Sequence, residues 1–247
     1  MNSAIDIDLV VVLVAALWGA ATGALLPRAA YRFSAPSGEA WRERCPDGHP
    51  VRDWLGRARC GQCPAGQASH GPRTASLATA LVCAALAAAT GTRPEAAVWL
   101  LLAPVGVLLA VVDLKVRRLP DPLTLPLAGA ALVLLGLTAL VPEHAGEWTT
   151  ALLGALALGA GYLVLFLINP AGMGFGDVKL ALTAGAVLGW YGWPTLMLGT
   201  FAGFLLGALY GGALLVARRA DRKTAIPFGP FLIAGAFLGV LAGAYAA

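Results

Sequence analysis

Long apolar blocks, each close to the roughly 20 residues a helix needs to cross a bilayer, recur from one end of this chain to the other. Lipid offers a bare backbone no hydrogen bonds, so such blocks must become helices or close into a barrel. Barrel strands would show as short alternating segments. These blocks do not alternate and are rich in Ala, Leu, Gly and Val. The expected fold is therefore all-α, a polytopic bundle of about eight transmembrane helices. Composition agrees, with 59% hydrophobic and only 12% charged residues, where soluble chains carry about 25% charged. The 31 glycines fit the same picture, because small residues let membrane helices approach closely.

The predicted spans are about 8–26, 76–92, 96–112, 122–141, 148–168, 178–191, 193–216 and 228–246. The second and sixth are short for a bilayer core of about 30 Å, which suits tilted helices buried in the bundle. The segment before the first span carries Asp6 and Asp8. A signal peptide would be basic there, so the first run reads as a retained helix. The organisation expected is a first transmembrane helix at 1–27, a cytoplasmic Cys-containing loop region at 28–75 and a membrane-embedded domain at 76–247.

Orientation follows from the basic residues. The first loop holds Arg28, Arg32, Arg42, Arg44, Arg52, Arg57, Arg59 and Arg73. The third holds Lys115, Arg117 and Arg118, the fifth Lys179, and the seventh Arg218, Arg219, Arg222 and Lys223. All but Arg93 of the 17 Lys and Arg thus fall on odd loops. That predicts cytoplasmic odd loops and both termini outside, and it makes the net charge of +4 a topology signal rather than a nucleic-acid site. The first loop has few aliphatic residues and cannot build a sizeable core alone. If ordered, it needs a metal or the membrane face to hold it.

Ionisable groups near membrane helices are costly and usually have a task. On the cytoplasmic side, outside the first loop, the acids are Asp113, Asp121, Asp177 and Asp221. Asp113 closes the third span, and Asp177 opens the sixth within Gly172-Met-Gly-Phe-Gly-Asp-Val-Lys-Leu180. Two carboxylates at one depth can share a water. One, ionised, takes a proton as water attacks a peptide carbonyl; the other, protonated, donates to the carbonyl oxygen. Close carboxylates do not both ionise cheaply, which separates the two roles. Gly172, Gly174 and Gly176 lack Cβ and allow another backbone near. Asp177 at a helix start would feel its positive end. Simpler readings stand beside these. Asp121 and Asp177 suit helix caps or first-turn acids. Asp113 could pair with Lys115, Arg117 or Arg118. Lys179 suits an interface anchor, and Cys83 suits packing.

Taken together, three segments resemble the type IV prepilin peptidases, membrane aspartic proteases of the Gly-x-Gly-Asp class. Asp113-Leu-Lys-Val-Arg-Arg-Leu-Pro-Asp121 is similar to the first aspartate motif, Gly174-Phe-Gly-Asp-Val-Lys179 to the second, and Ile226-Pro-Phe-Gly-Pro-Phe-Leu232 to the opening of the last helix. The resemblance covers roughly 76–247, making that region the peptidase domain. It implies a catalytic dyad of Asp113 and Asp177, supported by Gly174, Gly176 and Lys179. It implies prepilin or pseudopilin substrates, cut at the cytoplasmic face of a bacterial inner membrane after the glycine ending a basic leader. It implies no cofactor for proteolysis, and no nucleic-acid partner is expected.

Many members of that family also N-methylate the new N-terminus with S-adenosylmethionine, and carry two Cys-x-x-Cys pairs that bind zinc in the first loop. Here Cys60-Gly-Gln-Cys63 is intact, but position 48 is Gly where the first pair would have its second cysteine. Cys45, His49, Cys60 and Cys63 would still make a tetrahedral Cys3His set for structural zinc. A metal-free thiol pair is the simpler reading. S-adenosylmethionine is expected only if the methyltransferase activity is retained. Two other functions compete with the peptidase function. Presenilin-like and signal-peptide-peptidase-like proteases resemble this chain only in the second motif. A solute or ion transporter would place its acids mid-membrane rather than at span ends.

Overall fold

The computed structural model describes residues 2–36, 38–56, 72–170, 172–217 and 226–247. Among the described residues there are eight α-helices and no strand beyond one isolated bridge, Arg44 with Pro50. The helices are α1 (Asn2–Phe33), α2 (Pro72–Thr90), α3 (Glu95–Val116), α4 (Asp121–Thr138), α5 (Trp148–Ile168), α6 (Phe175–Trp190), α7 (Trp193–Val216) and α8 (Gly229–Ala246). Seven are long and apolar enough to cross a membrane; α6 is not. The chain is a multi-pass membrane protein, all-α as its apolar blocks dictate. It forms two compact units: Met1–Thr92 with Trp99–Arg118, and Arg93–Val98 with Leu119–Ala247.

In the first unit α1 packs on α2. Glycine makes the approach close: a Cβ on Gly19 would stand 2.5 Å from the Thr79 carbonyl oxygen, and one on Gly23 would stand 2.8 Å from that of Ala75. Ala15, Cys83 and Ala87 form a small core, joined by Val11, Val12, Leu100 and Ala103. Cys83 is thus a packing residue. Helix α1 runs on to Phe33, past the expected end near 26, with Pro27 inside it. Its extra turns have work on the buried side: Ala29, Ala30 and Phe33 are all buried.

Those turns also organise the first loop. Phe33 meets Trp41 edge-on at 5.1 Å and Trp54 at 4.8 Å. The Arg32 guanidinium lies 3.9 Å over the Trp54 ring, and Arg118 lies 4.3 Å over Trp41. Arg118 donates to the carbonyls of Pro36 and Glu39 at 3.0 and 3.3 Å. The described part of the loop is thus held by aromatic and cation–π contacts to the end of α1 and to Arg118. The sequence, with few aliphatic residues there, suggests only a metal or the membrane face as support; the aromatic rings and arginines supply it instead.

In the second unit α6 packs against α4, α5, α7 and α8. Ten of the last eleven residues of α6, from Leu180 to Trp190, are buried, and the other, Leu182, lies against Gly159. A Cβ on Gly154 would stand 2.5 Å from the Gly185 carbonyl oxygen, and one on Gly189 would stand 2.5 Å from that of Thr150. Helices α7 and α8 meet likewise, with Gly199 3.0 Å from the Gly235 carbonyl oxygen by the same measure. The turn from α6 into α7 needs Gly192, whose φ of +92° suits no side chain well. At this end Glu95 is fully buried and accepts hydrogen bonds from the Ala145 amide at 3.3 Å and the Tyr191 hydroxyl at 3.4 Å.

The glycine contact between α5 and α6 predicts a cost for any side chain there. Gly154→Val should destabilise the protein by about 1–3 kcal/mol, the usual penalty for overpacking. Unfolding titrations in mixed micelles read this directly. Gly161→Val, at a glycine with nothing near its Cβ position, should be close to neutral.

Candidate active site

The start of α6 is built by its own aspartate. The helix begins at Phe175 with Gly174 as N-cap, and Asp177 is its third residue. The Asp177 carboxylate turns back to accept the Gly174 N–H at 3.1 Å, while the Asp177 N–H donates to the Gly174 carbonyl at 3.0 Å. This is the third-residue half of a capping box; Gly174 has no side chain to supply the other half. The capping role is therefore real. It fixes the carboxylate's direction, and it leaves Asp177 buried, with 6% exposure.

Gly176 has a packing partner. A Cβ there would stand 2.8 Å from Leu119 Cβ. Leu119 itself is buried, so the space opened by Gly176 is filled by the connection between α3 and α4 rather than left for a visiting backbone. Gly174 is exposed and tolerates neighbours at ordinary distances.

Two residues beyond Leu119, Asp121 opens α4. The N-cap is Pro120, and Asp121 is the first-turn acid. It pairs with Lys179 at 2.7 Å. Lys179 is the half-buried partner, its side chain 16% exposed against 62% for Asp121, and it stands 4.9 Å over the Phe175 ring. Lys179 is thus not a free interface anchor. Its charge ties the α4 start to the first turns of α6.

Asp113 belongs to the first unit. It lies in the last turn of α3 and is buried, with 4% exposure. Arg117 follows with φ +53° and donates its N–H to the Asp113 carbonyl at 2.8 Å, ending the helix in a left-handed turn. Two buried aspartates, one ending a helix and one beginning another, are the residues the sequence singled out.

In the first loop Cys45 and His49 come together. Cys45 Sγ and His49 Nδ1 are 3.5 Å apart, and the turn is closed by the Cys45 N–H on the His49 carbonyl at 2.9 Å. Ligand atoms of Cys45, Asp47 and His49 all lie within 4.8 Å of one another. Asp47 was not among the expected ligands. Its place two residues after Cys45, in a turn, was the signal that could have found it. Cys60 and Cys63 lie outside the described residues.

The sequence reading also missed Tyr162. It lies in α5 and is 2% exposed, with Phe204 at 5.7 Å and Phe228 at 6.0 Å. Phe228 belongs to the Ile226–Leu232 segment, so the third motif supplies part of this wall.

Comparison with known proteins adds the relatives. The sequence model of the type IV leader peptidase family matches residues 100–212. A prepilin leader peptidase/N-methyltransferase of Aeromonas salmonicida is 36% identical over 204 residues, covering 78% of this chain and 66% of that protein. One from Pseudomonas aeruginosa is 34% identical over 219 residues, covering 81% and 70%. One from Burkholderia pseudomallei is 33% identical over 218 residues, covering 78% and 65%. The chain thus spans about 66% of the length of the first of these relatives. No solved structure matches.

The Asp121–Lys179 pair yields a prediction. Because Asp121 is largely exposed, the pair should contribute no more than about 1 kcal/mol. A double-mutant cycle with Asp121→Asn and Lys179→Met, read by unfolding in mixed micelles, should give a coupling of that size.

Proposed function

Since the chain belongs to the type IV leader peptidase family, we propose that it cleaves the basic leader from type IV prepilins or pseudopilins. Cleavage follows the glycine that ends the leader, at the cytoplasmic face of the bacterial inner membrane. Asp113 and Asp177 form the dyad, with Gly174, Gly176 and Lys179 supporting Asp177. The observation that carries this reading is the burial of both aspartates, at 4% and 6% exposure. A buried carboxylate is expensive to keep, and two at helix ends within motifs of a protease family support a shared use beyond the cap that Asp177 also provides.

In the proposed reaction the dyad holds one water. The ionised carboxylate takes a proton from it as the water oxygen bonds to the peptide carbonyl carbon. The protonated partner donates to the carbonyl oxygen. The tetrahedral intermediate collapses with the C–N bond breaking, and a proton reaches the leaving amine. Titration belongs to the pair rather than to either residue. No metal or cofactor enters this sequence. The basic odd loops orient the chain with both termini outside, which brings the basic leader and the dyad to one face.

The first loop takes a structural zinc in this proposal, held by Cys45 and His49 with Cys60 and Cys63. The fit rests on the Cys45–His49 approach, a sulfur and an imidazole nitrogen already adjacent, which is the donor chemistry zinc selects. Zinc there would stiffen the loop. N-methylation is named for the relatives; the altered first cysteine pair argues against assuming it here.

Two measurements test these readings. Asp113→Asn and Asp177→Asn should each lower leader cleavage by about 10²–10⁴-fold or more while the protein still inserts. Co-expression with a prepilin, followed by N-terminal mass analysis, reads the cut and any added methyl group together. Substantial cleavage by either variant discards the dyad. For the loop, purified protein carrying Cys60→Ser and Cys63→Ser should lose its zinc; unchanged zinc content removes these ligands.

A further inference from the structure

Tyr162 presents a buried polar atom that the reaction as described does not use. Its side chain is 2% exposed, and its hydroxyl has no hydrogen-bond partner among the described residues. A buried hydroxyl without a partner is costly, and such groups in native proteins are usually completed by water or serve in catalysis.

The register of α5 on α6 says at what level Tyr162 stands. Thr150 meets Gly189, Gly154 meets Gly185, and Gly159 meets the Leu182 side chain. The antiparallel contacts step together along both helices. Carried one turn further along α5, they bring Tyr162 level with Asp177 and Val178. Phe204 and Phe228 pack around the ring, at 5.7 and 6.0 Å. They fix its position and supply no hydrogen-bonding atom. A carboxylate already oriented by the Gly174 N–H and a phenol lacking a partner thus lie at one level of the same helix pair. A buried water needs about two to four polar partners. These two groups offer a pair.

We propose that the Tyr162 hydroxyl donates a hydrogen bond to the reacting water on the Asp177 side of the dyad, orienting its lone pair toward the peptide carbonyl. The proposal rests on the leader-peptidase reading above. Tyr162 keeps its own proton throughout: the water gives its proton to the carboxylate and its oxygen to the carbonyl carbon. The phenol only aims the nucleophile.

Tyr162→Phe is the direct test, because it removes one oxygen and keeps the ring that Phe204 and Phe228 surround. Cleavage of a purified prepilin in detergent should show kcat lower by about tenfold to a hundredfold, the effect of one hydrogen bond to a reacting group. KM should be unchanged, and thermal stability equal to or above that of the parent. Parental kcat in the folded variant overturns the proposal, since a packing role is fully met by Phe. Should Tyr162→Phe fail to fold, fluorotyrosine placed at 162 keeps volume and hydrogen bonding while changing phenol acidity. Altered kcat there supports the proposal, and unaltered kcat overturns it. The parent protein separates the two readings: if it does not cut prepilin, the leader-peptidase function itself is wrong.

Discussion

Backbone contact between α5 and α6 is the constraint on which the second unit depends. In lipid there is no hydrophobic drive to press one helix on another, so association relies on close packing. Glycine at 154, 185 and 189 removes the side chains that would hold the axes apart. The interface then has little freedom to slide, because each glycine faces a particular backbone group. Sliding α6 by one residue would put Ala184 or Ala186 in the place of Gly185, and Leu188 or Trp190 in the place of Gly189, where only a hydrogen fits. A fixed register has a consequence far from the glycines. It sets the height of Asp177 against α5, and hence what surrounds the carboxylate.

The start of α6 is held by a second set of contacts. Leu119 fills the space above Gly176, and Asp121 pairs with Lys179. One partner comes from the short connection between α3 and α4, the other from the first residue of α4. In sequence these residues lie in two separate motifs; in the fold they are one joint. The joint explains why a motif built around Asp177 includes a lysine two residues later. Lys179 is far enough along the first turns to reach α4 while the carboxylate faces the other way, back to Gly174. The capping hydrogen bond and the salt bridge therefore act on opposite flanks of one turn.

Much of this was legible in the sequence because lipid leaves few choices. Eight apolar runs became eight helices, with ends displaced by a few residues. The largest displacement is α1, which extends to Phe33 because its last turns bury Ala29, Ala30 and Phe33. Apolar length alone does not reveal that, since Arg28 and Arg32 interrupt the run. Asp113 and Asp177 stood out because charges are rare here. The roles of Asp121, Lys179 and Gly176 did not, because each depends on a partner more than 50 positions away. Tyr162 was invisible for a different reason. A tyrosine in an apolar helix looks like ordinary packing, and only its burial without a hydroxyl partner distinguishes it.

The short length of α6 ties these points to function. At about 1.5 Å per residue its 16 residues span about 24 Å, less than a hydrocarbon core of about 30 Å. A helix of that length ending at the outer boundary begins below the inner one. Its unpaired N-terminal amides would then lie in a poor solvent, and one of them is met by Asp177. The same carboxylate thus answers two needs: it accepts an amide at the helix start, and in the proposed reaction it would serve as the base for the proteolytic water. A longer α6 would carry Asp177 out to bulk water, where a cap is cheap and a carboxylate is ordinary. What the structure gives this acid is burial at the start of a short, enclosed helix.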